Sequence, residues 1–249
     1  MSGHSKWAQI KRQKGVTDSR RGQLFTKLGR EIVVAARQGG PSPEANFRLR
    51  LAVQKARDAN MPIDSIDRAI KRAAGAAEGA SFAEVNYEGY GPGGAAILVQ
   101  VLTDNRNRTI SEIRNVFVRN GGNMGESGSV TWLFEPKGVI TVEANDAEEL
   151  ELYFIDAGAE DIRVIDGTME IHTKPTDLEA LRKAAAEKKL KIASADLVMM
   201  PKNTVMLDEK SALQILKLLD RLEELDEVQK VYTNADFPDS ALEKYRSQA

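Results

Sequence analysis

Residues 137–199 read KGVITVEANDAEELELYFIDAGAEDIRVIDGTMEIHTKPTDLEALRKAAAEKKLKIASADLVM, and the succession of patterns in them sets the fold class. Val139–Val142 is an extended apolar run, and Asp146–Ala157 has helical spacing. Asp161–Ile165 is extended again, and Gly167 turns the chain into Met169–Thr173. Thr176–Lys188 is helical and Ile192–Met199 extended. The order βαββαβ is the ferredoxin-like split βαβ unit, complete here within about 65 residues.

Outward from this unit, both flanks are incomplete by themselves. After Pro201 a strand-like stretch leads to a helix over Ser211–Glu224, with Leu213, Leu216, Leu219 and Leu222 as its apolar positions, and to a strand over Val228–Thr233. On the other flank, Val85–Tyr90 and Ala95–Leu102 read as strands. A helix follows over Asn105–Asn120, with Ile110, Ile113 and Phe117 inward, and Gly121-Gly122 ends it. Ser129–Phe134 reads as a further strand. The late elements supply what the early ones lack, so residues 81–135 plus 202–249 are expected to form one α/β domain, with 136–201 inserted in it.

The chain before residue 81 is helical in pattern. Thr17-Asp18-Ser19 offers N-cap residues for a helix running to about Gln38, with Leu24, Phe25, Leu28, Ile32, Ala35 and Ala36 on one stripe. Gly39-Gly40-Pro41 stops it, and Ser42-Pro43 restarts a second helix striped by Leu49, Ala52, Val53 and Ala56. Asn60-Met61-Pro62 is the next break. A third helix then places Ile63, Ile66 and Ile70 inward and Arg68, Lys71 and Arg72 outward, ending at Gly75. Residues 76–83, rich in Ala and Gly, read as a linker. The expected architecture is α+β: an N-terminal three-helix domain within residues 1–80, then two α/β ferredoxin-like domains, one inserted in the other.

Charge divides along the same line. The whole chain carries a formal charge of −2 over 249 residues. Residues 1–80 hold sixteen Lys and Arg against seven Asp and Glu, and the remainder nineteen against thirty. A nearly neutral chain is thus strongly polarised, and a basic half of this kind points to a polyanionic partner. The opening arm, MSGHSKWAQIKRQKGVTDSRR, carries Lys6, Lys11, Arg12, Lys14, Arg20 and Arg21 against the single acid Asp18, with Trp7 among them. Read blandly, this is a solvated tail with Trp7 folded onto the helices. Its continuity with a basic helical bundle favours nucleic acid instead, with bases neutralising phosphates and Trp7 stacking or anchoring. Lys27 and Arg30 extend the set.

Other chemistry is poorly supported. No cysteine is present, so disulfides and thiolate chemistry are excluded. His4 and His172, the only histidines, lie in different expected domains, whereas a transition-metal site needs clustered donors. No metal, cofactor or catalytic residue is expected, and no small-molecule substrate is evident. Gly91-Pro92-Gly93-Gly94 feeds a strand and lacks a following lysine, so it reads as a hairpin turn rather than a phosphate loop. The acids Glu143, Asp146, Glu148, Glu149, Glu151, Asp156, Glu160 and Asp161 have no base between them and read as an exposed helix face that turns away from phosphate. In Asp104-Asn105-Arg106-Asn107-Arg108-Thr109, Asp104 or Asn105 can cap the helix, while Arg106 and Arg108 offer a second phosphate contact. No apolar run reaches the roughly 18 residues of a membrane span, and the basic N-terminus has no apolar segment after it. A cytoplasmic protein without a membrane partner is expected.

Six ordered motifs resemble the YebC family: GHSKW (Gly3–Trp7), DSRRGQLFTKLGREI (Asp18–Ile32), NMP (Asn60–Pro62), YEGYGPGG (Tyr87–Gly94), TDNRNRT (Thr103–Thr109) and GSV (Gly128–Val130). The resemblance spans essentially the whole chain. It implies an N-terminal helical domain and two α/β domains, one inserted in the other, and no catalytic residues. The position of Phe47 is more often proline in the family, a departure that bears on how the second helix starts. Members include bacterial proteins described as DNA-binding regulators of transcription and a mitochondrial translational activator of cytochrome c oxidase. The resemblance therefore implies a non-enzymatic regulator of gene expression. Its partner is DNA or, as the alternative, ribosomal RNA and the ribosome. The bundle helices offer Arg and Lys more than Asn or Gln, so strong base-specific readout is not expected.

Overall fold

The computed structural model describes residues 18–75, 82–143, 147–165 and 167–248. The arm before Asp18, the stretch 76–81, and with them His4, Thr17 and most of the expected linker, lie outside the described residues. The chain divides into two compact units: one ends at Leu133 and resumes at Pro201, and the other is Phe134–Met200.

The first unit begins with three helices, α1 (Asp18–Gly39), α2 (Phe47–Asp58) and α3 (Ile63–Ala74). Ile32, Ala35 and Ala36 of α1 meet Leu49, Ala52, Val53 and Ala56 of α2 and Ile66 of α3 in one buried cluster. Small residues at these positions let α1 contact both partners closely. Gly40 takes φ +90° just past α1, the left-handed conformation that ends a helix. Two details differ from expectation. Ile63 is largely exposed, because it is the first residue of α3, and Met61 from the preceding turn fills the core instead. The second helix starts at Phe47 rather than at Ser42-Pro43. Asn46 is its N-cap: the side-chain oxygen accepts from Leu49 N–H at 3.1 Å, and Nδ2 donates to the carbonyls of Ala35 and Gly40 at 2.7 and 2.8 Å. One buried amide thus ends α1 and begins α2.

The same unit continues with β1 (Ala83–Tyr90), β2 (Ala96–Thr103), α4 (Arg106–Arg119) and β3 (Asn123–Met124). β1 and β2 form a hairpin in which Tyr90 pairs with Ala96 around the Gly91–Gly94 turn, closed by Gly91 N–H to Ala95 O at 2.8 Å. The second unit comprises β4 (Phe134–Glu143), α5 (Ala147–Asp156), β5 (Asp161–Ile165), β6 (Thr168–Thr173), α6 (Leu178–Glu187) and β7 (Ile192–Pro201). The chain then returns to the first unit as β8 (Val205–Met206), α7 (Glu209–Glu223), β9 (Val228–Thr233), β10 (Ala235–Asp236) and α8 (Asp239–Gln248). β3, β10 and α8 are not legible as separate elements in the sequence; the two strands have only two residues each.

The two large sheets follow one plan. Their strand orders are β3-β1-β2-β9 and β5-β6-β4-β7. In each, the strand that enters the first crossover helix (β2, β4) and its antiparallel neighbour (β1, β6) are central. The strands that follow the two helices take the edges. The second unit is the ferredoxin-like arrangement in its ordinary chain order. In the first, the neighbour strand β1 precedes β2 through a hairpin, so the same layout is reached with a different connection. Ile97, Val99, Val101, Ile113, Phe117 and Val231 pack with Ile215, Leu216, Leu218 and Leu219 of α7 in its core. α7 is buried over more than the single stripe expected because it touches α4, β9 and α8 together.

Ser129–Phe134 is not a strand. Residues 125–130 form a looped segment, Thr131–Leu133 a short 3-10 turn, and β4 begins at Phe134. The cause is Glu88 on β1, only 3% exposed. One carboxylate oxygen accepts from Gly128 N–H at 2.7 Å, and the other accepts from the N–H groups of Val130 and Thr131 at 2.7 and 2.8 Å. Three amides gathered on one carboxylate curl the chain, so it cannot extend. Among the described residues, no helix is long and apolar enough to cross a membrane.

Candidate nucleic-acid interface

Lys6, Trp7, Lys11, Arg12 and Lys14 lie outside the described residues, and so does the side chain of Arg20. The described part of the basic set starts with Arg21, exposed on the first turns of α1. One helical turn and more beyond it, Lys27 and Arg30 point into the first unit itself. Lys27 Nζ donates to the carbonyl of Glu223 at the end of α7, and an Arg30 Nη donates to the carbonyl of Asp226, both at 2.5 Å. The Arg30 guanidinium also lies 5.6 Å from the centre of the Phe82 ring. These two cations therefore fasten α1 to the α7–β9 connection.

Arg48 of α2 does the same at another point. Its guanidinium bonds Glu84 on β1, Glu31 on α1 and Gln38, whose amide also donates to Glu84 at 2.8 Å. Hydrogen bonding to Glu84, opposed by partial burial and reinforced by the charge of Glu31, raises the Arg48 pKa. The same contact with Arg48 outweighs burial in lowering that of Glu84. Arg50 donates to the carbonyls of Pro43 and Glu44 at 2.9 and 3.0 Å. The bases that remain outward on the helices are Arg37, Arg57, Arg68, Lys71 and Arg72, all exposed. Arg68 spans Asp64 O and Ser65 Oγ. Arg68, Lys71 and Arg72 share one face at the C-terminal end of α3, and no acid follows Asp67 in that helix.

At the strand-to-helix junction, the residues of Asp104–Thr109 separate in role. Asn105 caps α4, accepting from Arg108 N–H at 3.1 Å, and its own N–H donates to Thr103 Oγ1 at 2.9 Å. Arg108 bridges Asp104 and Glu227, 2.9 Å from each. These carboxylates, Glu227 foremost, raise its pKa. Arg106 stays exposed beside it. Farther along α4, Arg114 and Arg119 are exposed with Asn107, Ser111 and Asn115. The sequence signal for this second polar, basic face was the inward stripe Ile110, Ile113 and Phe117, whose complement it is.

The acidic run in the second unit is more neutralised than its local sequence suggests. Glu143 pairs with Lys191 at 2.7 Å, Glu149 with Lys188 at 3.5 Å, Glu160 with Lys137 at 2.8 Å and Asp161 with Arg163 at 2.9 Å. Lys191, Lys188 and Lys137 come from distant chain positions, which a local charge count cannot see, while Arg163 lies two residues from its partner. His172 is buried against Glu170, with Nε2 and Oε1 2.7 Å apart. Among the described residues, no group of three or more His, Cys, Asp and Glu side chains could hold a metal ion.

Two family models match the chain. Residues 5–76 match that of the TACO1/YebC protein N-terminal domain, and residues 82–235 that of the TACO1/YebC second and third domain. Curated relatives named probable transcriptional regulatory proteins cover nearly all of it. One from Dehalococcoides mccartyi strain BAV1 is 57% identical over 100% of both chains. One from Moorella thermoacetica is 53% identical over 98% of this chain and 99% of the relative. A crystal structure of a conserved hypothetical protein from Aquifex aeolicus is similar at 49% identity and a TM-score of 0.82, over 89% of this chain and 92% of that one.

Proposed function

The chain belongs to the TACO1/YebC family, and from that premise we propose that it is a non-enzymatic, cytoplasmic regulator of gene expression that binds nucleic acid, as a regulator of transcription. Three regions divide the work: residues 1–80 bind, and residues 81–135 plus 202–249, with 136–201 inserted, carry the acidic bulk. The observation that carries this reading is the charge division of the chain, with nine excess bases before residue 81 and eleven excess acids after it. An asymmetry of that size orients a protein on a polyanion and leaves the acidic portion outward. Lys6, Lys11, Arg12, Lys14, Arg20 and Arg21 supply phosphate contacts, and Trp7 supplies stacking. Arg106 adds a contact away from the arm. Lys27, Arg30 and Arg108 reach phosphate only by giving up the partners described above, so they stand in the second rank of the same set. The names of the relatives support a regulator of transcription.

A salt series tests the phosphate contacts. If all three residues of Lys11→Ala/Arg12→Ala/Lys14→Ala touch phosphate, the triple variant flattens the log–log salt slope on duplex DNA by about 3 units. An unchanged slope removes them from the interface. Sedimentation of lysate on a sucrose gradient, run beside a promoter-DNA titration, identifies the nucleic acid. A sequence-selective DNA complex that persists at physiological salt, without ribosome association, supports regulation of transcription. Co-sedimentation with ribosomal particles, with DNA binding lost at physiological salt, replaces it by regulation of translation through ribosomal RNA.

A further inference from the structure

At the β3 edge of the first unit, two aromatic side chains are held in place with much of their surface in solvent. Trp132 is 63% exposed and Tyr90 38%. Trp132 Nε1–H and the Tyr90 hydroxyl both donate to one oxygen, the carbonyl of Ser129, each at 3.0 Å. That carbonyl belongs to the segment curled onto Glu88 by three backbone amides. From the other side, Lys202 Nζ donates to the carbonyl of Trp132 at 2.9 Å, its side chain exposed. Tyr90 pairs in β1–β3 register with Asn123, also exposed.

The polar atom of each ring is thus satisfied inside the protein, and the outward surface is aromatic area beside an ammonium group. Fixing both rings beforehand removes most of the ordering loss that a ligand would otherwise meet. This is the chemistry of stacking, which needs ring faces and a nearby cation and no hydrogen-bond readout. Glu126, the one acid between residues 125 and 133, tells against a surface that grips phosphate alone. A duplex, with its bases covered, has only its charge to offer here.

We propose that Tyr90 and Trp132 form a stacking platform for unpaired nucleobases, with Lys202 beside it for the adjoining phosphate. The site takes single-stranded nucleic acid, and it rests on the nucleic-acid reading above while being separate from the arm.

The chain has two tryptophans, Trp7 and Trp132, so Trp7→Phe in the full-length chain leaves Trp132 as the sole indole emitter. A thymidine homo-oligonucleotide, titrated to saturation, is expected to quench that emission. In the unsubstituted background, Trp132→Leu is expected to weaken single-strand binding by about 5- to 150-fold, with Trp132→Phe recovering much of it. Duplex affinity should stay within about twofold, since stacking on this site requires an unpaired base. Saturable oligonucleotide binding that leaves Trp132 emission unmoved overturns the platform and leaves the nucleic-acid function intact. So does an equal loss on single strand and duplex. Absence of binding to either probe by the unsubstituted chain overturns the platform and the proposed function together.

Discussion

Glu88 shows how one side chain can decide the course of a loop. On β1 it lies on the opposite side of the pleat from Val85 and Tyr87, which pack against the helices. Burial alone would raise its pKa, but the amides of Gly128, Val130 and Thr131 outweigh that and hold the carboxyl below its ordinary value near 4.5. A group whose folded pKa is depressed adds stability that is complete above the unfolded value and disappears as pH falls through the folded one. Glu88→Gln keeps the shape but presents an NH2 group to at least one amide donor. It is expected to lower unfolding free energy at pH 7 by about 1–3 kcal/mol, with the gap to the unsubstituted chain narrowing below about pH 4. Urea unfolding at the two pH values measures this, and an equal loss at both would show that the charge is irrelevant. In sequence, Glu88 is one polar residue of YEGYGPGG. Nothing local marks it as the acceptor for amides forty residues on, which is why Ser129–Phe134 reads as a strand.

At the scale of the element, the start of α2 explains a departure from the family pattern. Phe47 is the first helical residue, the position where a missing N–H and a fixed φ suit proline best. Asn46 before it has φ −116° and ψ 99°, extended backbone of the kind that precedes proline. Phe47→Pro is therefore expected to change stability by less than about 1 kcal/mol, through a stiffer unfolded chain offset by the lost contact between Arg50 and the Phe47 ring. Asn46→Ala removes a cap and both bonds from Nδ2 to the carbonyls of Ala35 and Gly40, so it should cost about 2 kcal/mol or more. Thermal unfolding of the two variants side by side checks the order, and a larger loss for Phe47→Pro would refute the assignment of the helix start. The stripe of α2 was legible because 3.6-residue periodicity is local. Its first turn was not, because Ser42-Pro43 and Asn46 are both acceptable starts until Ala35 and Gly40 approach.

For the whole first unit, the helices and the sheet are joined by polar contacts as well as by chain connection. Arg48 reaches Glu84 and Glu31, while Lys27 and Arg30 reach the α7–β9 connection. The Arg48 and Glu84 side chains are 34% and 44% exposed, so solvent screens their attraction. A double-mutant cycle with Arg48→Ala and Glu84→Ala is expected to give a coupling of about 0.5–1 kcal/mol, shrinking as salt rises. Strictly additive losses would show that the pair does not hold the helices in place. The same contacts divide the bases into those that hold the fold together and those that stay exposed. Arg57, Lys71, Arg72, Arg106, Arg114 and Arg119 belong to the exposed group.

By itself the sequence determined the order of most of the longer helices and strands, the ferredoxin-like unit in residues 137–199, the Gly91–Gly94 hairpin and the polarised charge of the chain. Each of these is written in local periodicity or in a sum over residues, and neither needs to know what lies across the molecule. Only the tertiary structure decided that Lys27, Arg30, Arg48 and Arg108 are engaged with carbonyls or carboxylates, that Glu143, Glu149 and Glu160 of the acidic run are paired, and that Glu88 gathers three amides from the segment that carries Trp132. Most of those outcomes depend on groups separated by tens to hundreds of residues along the chain. Hydrogen bonds and ion pairs act over a few ångströms, so the partner of a charged side chain is known only when the fold has brought it there.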